Sequence, residues 1–305
     1  MTTPDSIWPI RSFLFVPAHR EGWVEKAIRH APEAVILDIE DSVPVAEKDM
    51  ARGLLQAAVN LLNASGVAAF IRVNEFGDST VADVRAAVVP GLTGLVLPKA
   101  TDAEQTRRLH DLVSYAEGAA GMTHGSVALL PLPETAEGLQ GAAEIASASP
   151  RVKGLFGAVG GPISGDVARG FGFRPTAVGT EQIYMNSKIV LDSRAAGSHY
   201  PIAGIIGTQI DDLEVVESLV RRAKAFGYTG VALIHPSHIK IAHQVFRPTD
   251  EEFLYFQGML SAFSNAEQRG LGAIRYEGQM IDYAMLPLAR EVVAEYERVR
   301  TRTAL

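Results

Sequence analysis

The sequence predicts an α/β protein built as one (β/α)8 (TIM) barrel with a C-terminal helical appendage. Eight short apolar runs recur along the 305 residues, and patterns of helical period separate nearly every pair of them. This length is normal for a single barrel of this class. A doubly wound open sheet would carry a glycine fingerprint after its first strand, where this chain reads PAHREG. We therefore expect the barrel.

The eight apolar runs lack a helical period, which is typical of parallel strands buried on both faces. The predicted strands are residues 12–18, 34–41, 69–74, 94–100, 127–134, 154–159, 204–209 and 230–236. Amphipathic patterns predict helices over residues 45–63, 103–117, 135–149, 181–196 and 211–226.

The chain continues beyond the eighth predicted strand. Helical patterns cover residues 238–246 and 250–268, and the turn RGLGAIRYEG leads to a terminal helix from about residue 281 to 302. We expect a barrel domain over residues 1–270. Residues 271–305 are then a C-terminal lid or oligomerisation segment.

Composition excludes several classes of protein. The net charge is −7 and no lysine- or arginine-rich run occurs, so we expect no nucleic-acid partner. The chain has no cysteine, which excludes disulfides and thiolate metal sites and leaves oxygen or imidazole ligands. Carboxylate ligands favour a hard ion such as Mg²⁺. The start of the chain lacks the apolar stretch of a signal peptide, and no run is long enough to span a membrane, so we expect a cytoplasmic protein.

Polar residues collect where the predicted strands end, which is the face that carries the chemistry of this fold. Those on or directly after a strand are His19, Arg20, Asp38, Glu40, Asp41, Arg72, Asn74, Lys99, Glu134 and His235, and Asp166 follows strand six across the loop GGPISG. Each one alone has a structural explanation, such as a helix cap for Asp166 or His235. Together they indicate a site, because buried charges are costly unless they are paired or bound to a ligand.

The residue types indicate a role for four of these side chains. Glu134 and Asp166 offer two oxygen ligands to an octahedral Mg²⁺. Arg72 presents a planar fork for a substrate carboxylate, with pairing to Asp38 or Asp41 as the structural alternative. Lys99 is either a second cation for an anionic substrate or a Schiff-base nucleophile, and its acidic neighbours favour the first role.

Nine sequence motifs, in order, resemble one family. They are FVPAHREGWVEKA, LDIEDSVP, IRVN, LPKA, LPETAEG, GDVARGFG, SRAAG, LIHPSHI and GQMID, and they extend from about residue 11 to 290. The chain resembles the citrate lyase β-subunit-like branch of the HpcH/HpaI aldolase superfamily, the magnesium-dependent CoA-ester lyases. Two departures are Arg169, where the family usually has an acidic residue, and Ala18, where it has glycine. The loop before Asp166 is also longer than expected.

The resemblance implies roles for the site residues. Glu134 and Asp166 would bind Mg²⁺, and Arg72 would hold the carboxylate of an oxaloacetate- or glyoxylate-like product. Asp282 of GQMID would act at the thioester end of a neighbouring subunit's site, with a helix N-cap as the alternative. Arg20 is then a candidate contact for the site rim or CoA, and Asp38 and Asp41 are candidates for substrate binding.

The function implied is magnesium-dependent carbon–carbon cleavage of a 3-hydroxy-3-carboxyacyl thioester of the citryl-, malyl- or citramalyl-CoA type. The alternatives are a malyl-CoA-type thioesterase, a class II pyruvate aldolase and a non-catalytic binding subunit. The substrate would be carried on CoA or on an acyl carrier. A lid that reaches a neighbour requires a homo-oligomer, at least a dimer and as large as a trimer or hexamer.

Overall fold

Eight parallel strands form a nearly closed barrel, which confirms the predicted fold. The computed structural model describes residues 7–161, 165–207 and 210–303. The strands are β1 Ser12–Pro17, β2 Ala34–Asp38, β3 Ala68–Arg72, β4 Gly94–Leu97, β5 Ala128–Pro131, β6 Phe156–Gly160, β7 Ile202–Ile206 and β8 Gly230–Leu233. They pair in the order β5-β4-β3-β2-β1-β8-β7-β6. Between β5 and β6, the bridge from Leu129 to Val152 lies just ahead of β6.

Helices follow the strands along the chain. They are α1 Trp23–Ile28, α2 Lys48–Ala64, α3 Thr80–Ala87, α4 Ala103–Ala119, α5 Ala136–Gln140, α6 Ala142–Ser147, α7 Asp166–Phe171, α8 Ile183–Ala195, α9 Leu213–Phe226, α10 Ile239–Phe246, α11 Asp250–Glu267 and α12 Leu286–Thr303. The helix predicted over residues 135–149 is two helices, because the chain breaks at Gly141. In the part of the chain that the structure describes, no helix is long and apolar enough to cross a bilayer.

Several strands end earlier than the sequence pattern suggests. β2 ends at Asp38 and β5 ends at Pro131, so Glu40 and Glu134 lie in the loops that follow. Two predicted segments, Thr208–Gln209 of strand seven and residues 162–164 of the loop GGPISG, lie outside the described residues. The polar residues therefore lie partly at strand ends, as Asp38 and Arg72 do, and partly in the loops that follow at the carboxyl face of the barrel.

The barrel interior is packed with large apolar side chains. Phe13, Ile36 and Phe70 are fully buried within one cluster, and Phe13 and Phe70 meet edge to face with ring centroids 5.1 Å apart. Trp8 lies ahead of β1, stacks on Tyr200 at 5.2 Å and is 5% exposed. Aromatic burial of this kind fills the amino end of the barrel, so the polar residues are left at the carboxyl end.

The second compact unit of the chain comprises Gln244–Leu305. Within this unit, Met259 and Phe263 of α11 share a core with Ile281 and with Leu286 of α12. The domain bounds 1–270 and 271–305 stay a prediction. An antiparallel hairpin, β9 Ala273–Tyr276 and β10 Gln279–Asp282, precedes α12. The terminal helix therefore begins at Leu286 rather than near residue 281. The lid or oligomerisation role of this segment stays a prediction.

A buried ion pair lies beside the discontinuity between β5 and β6. Glu117 accepts hydrogen bonds from Arg151 Nη1 at 2.8 Å and Nη2 at 2.6 Å, and from the backbone N–H groups of Gly125 and Val127 at 2.8 Å each. The carbonyl of Arg151 accepts the N–H of Leu129 in β5. Burial raises the pKa of Glu117, but these hydrogen bonds outweigh it and hold the pKa at about 2.

We expect Glu117→Gln to destabilise the fold in a pH-dependent way. The pKa of Glu117 is about 2 in the folded chain against an ordinary value of 4.5. The pair therefore contributes fully above the ordinary value, and its contribution is lost as the pH falls toward the folded value. Urea denaturation should show a loss of about 3 kcal/mol at neutral pH and less than half of that near about pH 3. The exposed Glu104→Gln serves as the control and should leave the midpoint nearly unchanged. A loss that is equal at both pH values would contradict the role of the pair.

Candidate active site

Five carboxylates and two buried or half-buried cations converge at the carboxyl ends of β2 to β6. The carboxylates are Asp38, Glu40, Asp41, Glu134 and Asp166, and the cations are Arg72 and Lys99. The contact between Asp38 and Arg72 follows from the strand register, because Asp38 of β2 pairs directly with Arg72 of β3. The structure thus brings together seven of the site residues that the strand ends predict.

Arg72 is held in one orientation. Its Nε donates to Asp38 Oδ1 at 2.7 Å, its Nη2 donates to Asp38 Oδ2 at 2.6 Å, and its Nη1 lies 3.0 Å from Glu40 Oε2. The guanidinium also lies over the ring of Phe15, 4.9 Å from its centroid. Burial lowers the pKa of Arg72, but Asp38 outweighs it and keeps the pKa above its usual range. Arg72 is therefore always charged; Asp38 accepts two of its five N–H groups, and Glu40 is an ion-pair partner of Nη1.

Asp38 supports this orientation from inside the protein. Its carboxylate is 1% exposed and also accepts the backbone N–H groups of Glu40 and Ser42, at 3.0 and 3.1 Å. Burial raises the pKa of Asp38, while Arg72 lowers it by more, so the pKa lies below its ordinary value. Both oxygens of Asp38 are thus occupied by protein donors.

Lys99 contacts two carboxylates of the site, and its backbone has an unusual conformation. Its φ is +49°, in the left-handed region that non-glycine residues seldom adopt. Its backbone N–H donates to Glu134 Oε1 at 3.0 Å, and its Nζ donates to Glu40 Oε1 at 2.8 Å. Burial lowers the pKa of Lys99, but Glu40 and the other carboxylates raise it above its usual range. A Schiff-base nucleophile needs a neutral amine, so this environment favours the electrostatic role.

Glu134 and Asp166 are brought together by a close approach of α7 to the end of β5. A Cβ on Gly170 of α7 would lie 2.6 Å from the carbonyl oxygen of Glu134, so only glycine allows this approach. Asp166 is the first residue of α7, and its Oδ1 accepts a hydrogen bond from Arg169 Nη2 at 2.5 Å. The hydrogen bond from the Lys99 N–H lowers the pKa of Glu134. Burial and the carboxylates of Glu40 and Asp166 outweigh it and raise this pKa to about 7.

The charge balance of this site fits a divalent cation. When all five carboxylates are ionised, their charge exceeds that of the three cationic groups, Arg72, Lys99 and Arg169, by two. Burial is the main cause of the raised pKa of Glu134, and the charges of Glu40 and Asp166 add to it. In the described part of the chain, the donor to its carboxylate is the backbone N–H of Lys99. Among the described residues, no group of three or more His, Cys, Asp or Glu side chains is arranged to hold a metal. Mg²⁺ bound here would complete its coordination with water and substrate, as this ion commonly does.

Other predicted residues lie apart from this cluster or serve as caps. Arg20 is exposed in the loop after β1, and His235 Nδ1 lies 2.7 Å from Ser237 Oγ at the cap of a short 3₁₀ turn. Asp282 belongs to the second compact unit, where its carboxylate accepts the N–H of Ala284 at 2.9 Å. The N-cap alternative for Asp282 is therefore present in the structure, and its catalytic role stays a prediction.

Glu40 is a residue of this cluster to which the sequence analysis assigns no individual role. It is 3% exposed, and its two oxygens contact Arg72 and Lys99. The available signal was the alternation of LDIED, which places Glu40 two residues after Asp38 and so on the same side of the chain.

Comparisons with known proteins agree with the resemblance. The family model of HpcH/HpaI aldolase/citrate lyase matches residues 11–236. The citrate lyase subunit beta-like protein of Deinococcus radiodurans is 31% identical over 96% of this chain and 99% of its own. The L-malyl-CoA/beta-methylmalyl-CoA lyase of Cereibacter sphaeroides is 30% identical over 97% of each chain. The crystal structure of CitE from Mycobacterium tuberculosis with magnesium, acetoacetate and coenzyme A superposes with a TM-score of 0.74 at 27% identity, covering 95% of this chain and 99% of that chain.

We expect Lys99→Gly to be more stable than Lys99→Ala. Both variants lose the ammonium group, but only alanine must still hold a side chain at positive φ, which costs about 1 kcal/mol. Urea denaturation measures the difference. The matched control is Lys48, whose φ is −62° at the start of α2, and there the glycine variant should be the less stable one. Equal stability of the two Lys99 variants would show that this backbone is not strained.

Proposed function

Since the chain belongs to the HpcH/HpaI aldolase/citrate lyase family, we propose that it cleaves a 3-hydroxy-3-carboxyacyl-CoA thioester to an acyl-CoA and a 2-keto acid. The predicted class, a carbon–carbon lyase of the citrate lyase β-like type, is confirmed by the relatives. The observation that carries the substrate proposal is the guanidinium of Arg72, which two hydrogen bonds to Asp38 hold in place. It belongs to the same cluster as the carboxylates of Glu134 and Asp166.

Glu134 and Asp166 are the residues that would hold Mg²⁺. In support, burial and two neighbouring carboxylates raise the pKa of Glu134, and a divalent cation bound here would stabilise its charged form. When bound, the ion supplies a Lewis acid for the oxygen on which negative charge develops. The magnesium complexes of CitE from M. tuberculosis belong to a protein of the same family.

Arg72 binds the carboxylate of the keto-acid fragment. Among the described residues, Asp38 accepts hydrogen bonds from Nε and Nη2, and Glu40 pairs with Nη1 by charge at 3.0 Å. N–H groups on both terminal nitrogens therefore remain for the substrate. Because the side chain is clamped by Asp38 and by Phe15, it orients the substrate without first losing conformational freedom. Asp38 therefore acts on the substrate through Arg72.

The reaction moves one proton and one electron pair. The bond between the carbinol carbon and the carbon next to the thioester breaks, and its electrons pass to a thioester enolate. The carbinol hydroxyl loses its proton and becomes the keto carbonyl, while the enolate carbon gains a proton. Lys99, which stays charged, stabilises the anionic fragment, and Asp282 is the candidate acid for the enolate.

Product analysis tests this function. The purified protein with Mg²⁺ should convert one of citryl-, malyl- and citramalyl-CoA to an acyl-CoA and a 2-keto acid, identified by mass spectrometry. Glu134→Gln should lower turnover by at least about 100-fold, because a metal ligand is lost. Glu137→Gln, an exposed acid in the following helix, is the matched control and should retain activity.

Two results would contradict the proposal. Free CoA with an intact hydroxy acid would identify a thioesterase instead of a lyase. Unaltered activity of Glu134→Gln would remove the magnesium assignment.

A hybrid experiment tests whether Asp282 serves a neighbouring subunit. Asp282→Asn and Glu134→Gln should each be inactive alone. Unfolding and refolding the two variants together should restore up to about a quarter of dimer sites, if each site takes Glu134 from one chain and Asp282 from another. No recovery in the mixture, beside normal recovery of refolded wild type, would place both residues in one chain's site.

A further inference from the structure

Lys99 has three carboxylates within reach, at unequal distances. Its Nζ lies 2.8 Å from Glu40 Oε1, 3.6 Å from Asp166 Oδ2 and 3.7 Å from Asp41 Oδ1. Only the first distance is that of a charge-assisted hydrogen bond. The ammonium is thus committed to Glu40, although the attraction of Asp166 acts on it from less than an ångström farther away.

Asp166 would be covered by cations on both oxygens if Lys99 moved onto it. Its Oδ1 already accepts a hydrogen bond from Arg169 at 2.5 Å. Its Oδ2 has Lys99 as the nearest cation, at 3.6 Å. A second close ammonium would compete directly with any metal for this carboxylate.

Glu40 is itself fixed from two directions, so it can restrain a flexible lysine. Its backbone N–H donates to Asp38 Oδ1 at 3.0 Å, and its Oε2 lies 3.0 Å from Arg72 Nη1. The side chain is only 5% exposed, so solvent weakens its hold on Lys99 little. The backbone of Lys99 is restrained as well, through its N–H bond to Glu134.

We propose that Glu40 is a positioning residue that holds the ammonium of Lys99 away from Asp166 and so leaves this carboxylate available to a divalent cation. The inference rests on the proposed function in placing the cation at Glu134 and Asp166. Glu40 is not a ligand in this scheme. It acts through Lys99, and its removal releases the ammonium toward Asp166 and Asp41.

The positioning role of Glu40 must be separated from the simple loss of its negative charge. Removing any nearby carboxylate lowers the negative potential that attracts a cation. That effect does not require Lys99, whereas the positioning role vanishes without it. A double-mutant cycle between Glu40 and Lys99 therefore distinguishes the two.

The experiment measures Mn²⁺ binding to the full chain without substrate, by isothermal calorimetry and by electron paramagnetic resonance of free Mn²⁺. Glu40→Gln should raise the Kd at least about tenfold, because the released ammonium of Lys99 competes with the metal ion for Asp166. Asp41→Asn removes the same charge from an exposed, more distant site and should raise it less than threefold. In a Lys99→Met background, Glu40→Gln should change the Kd less than twofold.

Glu134→Gln separates failure of this inference from failure of the proposed function. If it abolishes binding while Glu40→Gln binds as wild type does, the metal site stands and the positioning role is overturned. If Glu40→Gln weakens binding equally with and without Lys99, the effect is one of charge alone, and the role is again overturned. If Glu134→Gln binds Mn²⁺ normally, both proposals fall.

A second variant guards against misfolding of Glu40→Gln. Glu40→Asp keeps the charge but is one methylene shorter, so it cannot reach both Arg72 and Lys99. It should be folded by circular dichroism and yet bind Mn²⁺ at least about threefold more weakly than wild type. Wild-type affinity in a folded Glu40→Asp would overturn the proposal.

Discussion

The ion pair between Asp38 and Arg72 organises the charged end of this barrel. Both residues end their strands, and the parallel register sets them side by side. A buried charge without a partner destabilises the folded state by several kcal/mol, so separating the two side chains is strongly unfavourable. Asp38 also accepts the N–H groups of Glu40 and Ser42, and it thereby shapes the turn after β2. One bidentate contact thus fixes both the guanidinium and the loop that carries Glu40.

Beginning with the pair of Asp38 and Arg72, acidic and basic side chains alternate at the carboxyl end of the barrel. Arg72 contacts Glu40, Glu40 contacts Lys99, and Asp166 lies between Lys99 and Arg169. Glu134 is outside this alternation, since its carboxylate accepts only the N–H of Lys99 among the described residues. The unbalanced negative charge is therefore concentrated where β5 ends and α7 begins. Burial raises the pKa of Glu134, and the nearby charges of Glu40 and Asp166 raise it further.

Sequence reasoning predicts what depends on local patterns and misses what depends on distant partners. The eight apolar runs and the polar residues that follow them give the barrel and most of its site, because both obey the period of a buried strand. The antiparallel pairing of β9 with β10, joined by positive φ at Glu277 and Gly278, makes a hairpin where the sequence predicts only a turn before the terminal helix. The role of Glu40 depends on the Nζ of a lysine 59 positions away, which no local pattern reveals.

The two cations beside Asp166 differ in how strongly they compete for it. By distance Arg169 is the nearer, at 2.5 Å against 3.6 Å for Lys99. However, the Arg169 side chain is 80% exposed, and water and salt weaken such a surface pair to a fraction of its Coulomb energy. Lys99 is 20% exposed, so its charge is screened far less. The cation that the site must restrain is therefore the more distant one. In the proposed scheme the buried glutamate Glu40 is bonded to Lys99 for this reason, whereas the exposed Arg169 needs no such restraint.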